Sequence, residues 1–551
     1  MRVAVLLWTV CLTLAAGRGE QAVQRRLEPF LPVAVIYRSE RPRDPARSAA
    51  DLEAIRELGF NSVRVPLDWA ASEPARGAYD FAALNETLAL AGQADLRVSL
   101  RLDVSPLPGW LLRRHPDGRF VPESKSGPAG PARACLDHPG VRADVEAYVA
   151  AATANAARHA AWYAIDLGSD LPDGFCRCPH TERRFRDWLT AARGPEPRQP
   201  SSAASDRAAF VALQRADHLA LLTAAAAARG AHAASSSARA PSILRNVFDE
   251  SPGQDDWLMS TVVDHYGSAV PPETGSAALL AASRLALALD GLRSAARDKG
   301  WLMTDALPAA RASDLRLMTW AALSRGARGV TFGEWRGPAA GALARVVGRN
   351  PALFGPLHPR PAKIAIVYDP RLPAQASRAL ADVYRVFFER NTAVDFIHLD
   401  EIATGMAARY PLVVAYSLAT LPAAASDALK TYVAAGGTLI TNSTPASRDR
   451  MLVQAAARAG VSPDVRIEGA TDLVETRFLE SSDVLMLIGL NYGDTPQRVK
   501  MTFTPDTQEA IWQNMETGSA VNFVAGPEGP TYTYSFQPRD ALVLMIRKNV
   551  R

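Results

Sequence analysis

Between residues 32 and 335, eight short apolar runs alternate with longer stretches whose apolar residues recur at helical spacing. The runs are PVAVIY (32–37), NSVRVPL (61–67), LRVSLRL (96–102), AWYAIDL (161–167), PSILRNV (241–247), STVVDHY (260–266), GWLMTDA (300–306) and GVTFGEW (329–335). The stretches between them include ARSAADLEAIRELG before the second run and GSAALLAASRLALALDGLRSAARDKG before the seventh, each ended by glycine. Strands joined by helices are carried back to the same edge, so they pair in parallel. Eight such units match the count and length of a (β/α)8 TIM barrel, placed here at residues 28–352.

A Pro-rich hinge, PALFGPLHPRPAK (351–363), closes this region. KIAIVYDP, RALADVYRVFFERN, VDFIHL, PLVVAYS, SDALKTYVAAGG and TLITNS then describe a smaller, flavodoxin-like α/β domain over 360–465. From 470 to 551 short alternating runs (DVLMLIGLNY, RVKMTFT, TYTYSF, ALVLMIR) predict a small antiparallel β-domain. GPEPRQPSSAASD (194–206) reads as a loop inserted after the fourth strand.

Charge excludes some partners. The balance of 61 Lys+Arg against 57 Asp+Glu leaves +4, spread along the chain without basic blocks, so no nucleic-acid footprint is present. The opening MRVAVLLWTVCLTLAAG reads as a signal peptide over 1–17, which predicts a secreted or periplasmic protein. No later segment reaches the roughly 18 uninterrupted apolar residues of a membrane span. Cys11 would leave with that leader. Cys176, Cys178 and His180 form a C-x-C-x-H cluster able to ligate zinc, with Cys135 or His138 as a further donor; a disulfide involving Cys135 and simple free thiols stay open as alternatives. No cofactor is required by any motif.

Barrel enzymes work at the C-terminal ends of their strands. The residues found there are Asp68 and Trp69, Asp103, Asp166 with Asp170, Asp249 with Glu250, Asp264 with His265 and Tyr266, Asp305, and Glu334 with Trp335. A cup of carboxylates and aromatic rings suits a sugar, whose hydroxyls bind carboxylates and whose ring faces stack on aromatic side chains. A carbohydrate is the expected partner.

GFNSVRVPLDWAASEPARGAYDFAAL resembles the W-x-x-x-E-P-x-x-G-x-Y-D-F segment that follows the second strand in many retaining glycosidases, with Trp69, Glu73, Pro74, Gly77, Tyr79, Asp80 and Phe81 in place. PLPGWLLRRHPDGRF, ACLDHPGVR, FCRCPHTERRFRDWL, GWLMTD and TWAALSRGARGVTFGEWRG follow in the order of glycoside hydrolase family 42, the β-galactosidases. The segment 360–445 is similar to that family's trimerisation domain, which has a glutamine-amidotransferase-like fold, so a homo-oligomer and in particular a trimer are implied. The resemblance implies retaining hydrolysis by two glutamates, an acid/base after the fourth strand and a nucleophile after the seventh, about 5 to 5.5 Å apart.

On the simplest register both glutamates are replaced. Gly168 stands at the acid/base position and Thr304 at the nucleophile position. Asp170 and Asp305 lie near enough to restore a carboxyl pair if each site slips, and Glu334 could be drafted into one role. Strict alternation would turn Asp305 away from the barrel axis if Thr304 faces it. Arg133 stands in for the family's substrate-binding arginine, Leu343 and Val346 fall where the family has a sugar-binding Glu and His, and Thr181 replaces a cysteine of its zinc cluster. Three functions follow as expectations: a diverged glycosidase, a barrel that binds glycan or scaffolds without catalysis, or different chemistry built on Asp264, His265 and Tyr266.

Overall fold

The computed structural model describes residues 30–38, 44–123, 132–168, 171–172, 174–193, 200–237, 241–244, 254–269, 278–299, 301–306, 312–336, 338–370, 374–415, 421–441, 445–470, 474–504 and 511–548. Side chains are described for these except 192–193, 200–205, 236–237, 244, 278–281, 298, 301–306, 338, 374–377 and 445–446. The expected leader, Asp170, Asp249 and Glu250 lie outside this set.

Eight parallel strands close into a barrel in sequence order. They are β1 (Val33–Ile36), β2 (Ser62–Asp68), β3 (Arg97–Asp103), β4 (Trp162–Leu167), β5 (Ala233–Ser237), β6 (His265–Ala269), β7 (Trp301–Ala306) and β8 (Val330–Phe332). On β2 the buried Val63 and Val65 alternate with Arg64, so apolar residues pack under the helices while the polar ones share the other face. Helix Pro45–Glu57 starts where Asp44 accepts hydrogen bonds from the backbone N–H groups of Ala46 and Arg47, with proline at the first helical position.

Six of the eight predicted strands stand; the fifth and sixth are displaced. In PSILRNV, Ser242–Leu244 is a helical turn tied by the Ser242 N–H to the Asp256 carboxylate at 2.6 Å. The fifth strand is instead AASSS, which carries no β-branched residue and is fixed by burial of Ala233 and Ser235 in the barrel. Ser260 and Thr261, expected in a strand, end the helix Asp256–Thr261, whose N-terminus Asp255 caps.

The second domain is a four-stranded parallel sheet in the order β11 (Val394–His398), β10 (Ile364–Tyr368), β12 (Leu412–Val414), β13 (Thr438–Ile440). This is the flavodoxin-like arrangement expected. The third domain begins earlier than residue 470, because β14 (Val465–Glu468) pairs antiparallel with β17 (Gln497–Phe503) and β17 with β20 (Thr531–Phe536). Its larger sheet runs β19 (Ala520–Val521), β18 (Trp512–Asn514), β21 (Ala541–Arg547), β16 (Val484–Asn491), β15 (Val474–Glu480), β9 (His358–Pro359), so the Pro-rich hinge itself adds an edge strand.

The three domains meet on buried charge. Asp290 of the barrel helix Ala278–Ala296 faces Arg325 at 3.1 Å and Arg477 at 3.1 Å and accepts from Tyr384 at 2.7 Å, while Glu475 accepts from Arg325 at 2.8 Å and Tyr492 at 2.7 Å. Buried charges are tolerable only when paired in this way. Among the described residues no helix is long and apolar enough to cross a membrane.

Candidate functional site at the barrel mouth

The side chains of β2, β3 and β4 make the inner wall of the barrel polar. In register, Arg64 lies beside Ser99, and Arg101 beside Asp166. Arg64 and Asp166 sit on strands separated by β3, so their ion pair is a chord across the interior, with side chains 3% and 6% exposed. Arg101 Nε donates to Asp103 at 2.9 Å, two residues along the same face. Asp103 ends β3 and Asp166 lies one residue before the end of β4, and each is matched by an arginine. Asp68 accepts from the Ala71 N–H at 3.2 Å and starts the short helix Trp69–Ser72.

Trp69 is not a sugar platform. It is fully buried, stacked on Tyr148 with ring centroids 5.1 Å apart, and its indole N–H donates to Glu73 at 2.7 Å. Glu73 also accepts from the Gly77 N–H at 2.7 Å, and Trp110 donates to the Glu73 carbonyl at 2.9 Å. The W-x-x-x-E-P-x-x-G segment thus shapes the loop after β2 from beneath.

His265 and Tyr266 are likewise misplaced by the reading, because they begin β6 rather than end it. His265 Nδ1 lies 2.9 Å from the Lys299 carbonyl, which precedes β7, and its ring meets His232, which precedes β5, at 4.6 Å. Both contacts belong to the N-terminal face. Burial drives the His232 imidazole down to about 4, with the neighbouring His265 charge adding and Asp264, 3.3 Å away, opposing. The Tyr266 hydroxyl donates to buried Asp256 at 2.6 Å, so the ring points into the helical layer, and burial pushes its hydroxyl well above the usual range.

The end of β4 carries the sharpest geometry. Gly168 has φ +75°, and a Cβ built on it would lie 2.9 Å from Leu219 Cδ1 and 3.2 Å from Leu171 Cδ1. Position 168 is therefore held in the left-handed region and filled by two leucines. On β7, Met303 pairs with Val330 and Ala306 with Phe332, so three residues advance on one strand for two on the other. The register shift marks a bulge at Thr304 and Asp305. Of the other candidates, Glu334 is exposed, Trp335 packs partly on the barrel core and stacks under Arg336 at 4.8 Å, and Arg133 is half-buried with no ion pair among the described residues. Leu343 is buried in the helix Pro338–Val347.

Beside this mouth the loops after β3 and β4 bring three thiols together. Cys135, Cys176 and Cys178 are buried, with every pair of Sγ atoms within 4.8 Å and Cys135 and Cys178 at 3.3 Å. Cys135, far upstream, is the partner of Cys176 and Cys178. His180 is not: its Nε2 lies 3.0 Å from Asp117, and its ring meets His138 at 4.5 Å. His138 Nδ1 accepts the N–H groups of Gly140 and Val141 at 3.1 Å, capping the helix Pro139–Ala156. Its Nε2 therefore carries the hydrogen toward Asp117 at 3.2 Å, and the His138, His180 and Asp117 group is a hydrogen-bonded clasp rather than a ligand set. Three convergent thiols shielded from water fit a zinc ion.

With this geometry in view, similarity to known proteins is specific in kind. A sequence profile of the β-galactosidase family of glycoside hydrolases (family 42) matches residues 37–194, and one of the β-galactosidase trimerisation domain matches residues 357–457. The β-galactosidase BgaA of a Thermus species is 30% identical over 160 residues, which cover 27% of this chain and 24% of that one. The chain spans less than a quarter of the length of the curated relatives it matches. Over the whole fold it superposes on Gan42B, a β-galactosidase of family 42 from G. stearothermophilus, with a TM-score of 0.78 at 14% identity, covering 94% of this chain and 98% of that one. The β-galactosidase of Bacillus circulans sp. alkalophilus gives a TM-score of 0.75 at 13% identity, over 94% and 99% of the two chains.

Proposed function

We propose that this protein binds a β-galactoside-type or related glycan at the barrel mouth and does not cleave it by the two-glutamate retaining route. The observation that carries this reading is Gly168. A retaining glycosidase needs two carboxyl groups about 5 to 5.5 Å apart, and the place after β4 that the family likeness reserves for the acid/base is a glycine packed under Leu219 and Leu171. Asp166, two residues earlier, is engaged by Arg64 in an ion pair inside the barrel wall. The protein is exported, assembles through its middle domain as a trimer, and holds a structural zinc on Cys135, Cys176 and Cys178 that contributes folding energy and takes no part in any reaction.

A second reading keeps hydrolysis, with Asp305 as nucleophile and Asp170 or Glu334 as acid. The bulge at Thr304 and Asp305 supports it, since bulges are over-represented beside active sites.

Purified full-length protein assayed on aryl β-galactosides and other aryl glycosides, with calorimetric titration of galactose-terminated oligosaccharides, separates the two. Binding without turnover is the expected result. Turnover abolished by Asp305→Asn would establish the second reading instead.

A further inference from the structure

The three thiols leave a tetrahedral zinc one donor short, and the fourth place is occupied by Thr181. We propose that the Thr181 hydroxyl oxygen is the fourth ligand of a three-sulfur, one-oxygen zinc site, and that Asp137 is the positioning residue that aims it. The inference rests on the reading that zinc is held by Cys135, Cys176 and Cys178.

The distances carry it. Thr181 Oγ1 lies 3.3 Å from Cys135 Sγ and 3.4 Å from Cys178 Sγ, and those two sulfurs lie 3.3 Å apart. With Zn–S near 2.3 Å and Zn–O near 2.1 Å, the edges of a tetrahedron are about 3.5 to 3.8 Å. The observed edges are within a few tenths of an ångström of that figure. Local structure fixes the fourth corner: Cys178 precedes the helix Pro179–Arg193, the Thr181 N–H points to Cys178 Sγ at 3.5 Å, and Thr181 is fully buried. Cys176 Sγ in turn accepts the Val121 N–H at 3.3 Å.

Asp137 decides which way the hydroxyl points. Its Oδ2 accepts the Thr181 hydroxyl at 2.5 Å and the Gln214 amide, while its Oδ1 faces Arg184 at 2.7 Å and His218 at 3.0 Å. With its hydrogen committed to a carboxylate, the Thr181 oxygen presents lone pairs to the sulfurs. This is the usual outer-shell arrangement for a metal ligand. On zinc binding, any of Cys135, Cys176 and Cys178 that carries a proton loses it to solvent, whereas Thr181 keeps its own on Asp137. The site then has a net charge of −1 where four thiolates would give −2. A neutral oxygen also binds zinc more weakly than a thiolate, so this metal exchanges faster than one held by four sulfurs.

The test uses the full-length protein expressed with zinc, elemental analysis for zinc per chain, and the rate of zinc release to a chromogenic chelator. One zinc per chain is expected. Thr181→Cys should slow release by at least about tenfold and Thr181→Val should speed it by at least about tenfold, the scale on which ligand and outer-shell changes act, while Thr181→Ser should behave like wild type. Cobalt substituted for zinc gives a second readout, because its visible ligand-field bands shift when oxygen becomes sulfur in Thr181→Cys and stay in place in Thr181→Ser. Wild-type protein without zinc, or with Cys135 and Cys178 joined as a disulfide by thiol counting, would overturn the zinc reading and this inference together. A zinc-loaded wild type whose release is unchanged in Thr181→Val would overturn the fourth ligand alone.

Discussion

Arg64 on β2 and Asp166 on β4 reach each other across β3 and form an ion pair buried inside the barrel. Removing one partner takes away the ion pair that compensates the other's burial. Arg64→Met and Asp166→Asn should each lower stability by about 3 to 5 kcal/mol, and the double replacement Arg64→Met with Asp166→Leu should recover much of that loss. Urea unfolding of the three variants checks this. If Asp166→Asn leaves the midpoint unchanged but abolishes glycan binding, Asp166 serves the ligand rather than the wall.

Glu73 accepts two hydrogen bonds that shape the loop after β2, from the Trp69 indole and from Gly77. Glu73→Ala leaves the buried Trp69 indole N–H unsatisfied, while the N–H of exposed Gly77 turns to water. The expected cost is about 2 kcal/mol, the penalty of one buried donor left without its partner. Calorimetric titration of the surviving folded protein should show an unchanged affinity for the glycan, because neither residue lines the cup; a tenfold weaker affinity at unchanged stability would contradict this.

The sequence made the architecture legible where the signal was periodic. Val63 and Val65 alternating with Arg64 announced β2, and the apolar spacing of residues 278–296 announced a barrel helix. Where tertiary packing overrode propensity the pattern misled: the small-residue run at 233–237 is a strand, and Ser260 and Thr261 end a helix. The same slip carried His265 and Tyr266 to the wrong face, because a candidate at a strand's end is only as good as the end itself. Asp103 and Asp166 were read at the ends of β3 and β4, where they lie, yet their arginine partners were invisible, since a chord from β2 to β4 has no signature along the chain. Cys135 was named as one possible partner of the C-x-C pair, but only the fold distinguishes it from His138.

His232 sets an acid limit on stability. Its folded value near 4 lies below the ordinary histidine value of about 6.5. A group with a depressed folded value binds its proton more readily in the unfolded chain. Stability is therefore complete above pH 6.5 and declines as pH falls toward 4, by on the order of 3 kcal/mol across that window. Thermal unfolding measured from pH 7 to pH 4 should show this slope, and His232→Gln should flatten it. A slope unchanged in the variant would assign the acid sensitivity to other groups.

Gly168 permits a direct challenge to the functional reading. Gly168→Glu supplies the carboxyl that the family likeness calls for, but at φ +75° with Leu219 2.9 Å from the new Cβ. A left-handed conformation costs a residue with a side chain roughly 1 to 2 kcal/mol, and the contact adds overpacking of similar size. The variant should be less stable by about 2 to 4 kcal/mol and should gain no turnover on aryl β-galactosides. Adding Leu219→Ala should return part of the stability by opening the space without creating activity, because a reacting carboxyl misplaced by about 1 Å already loses a hundredfold in rate. A gain of tenfold or more in turnover from either variant would mean that the cup is still arranged for hydrolysis and that Gly168 is the single missing part. Asp305→Asn introduced into that active variant would then identify the nucleophile by its loss.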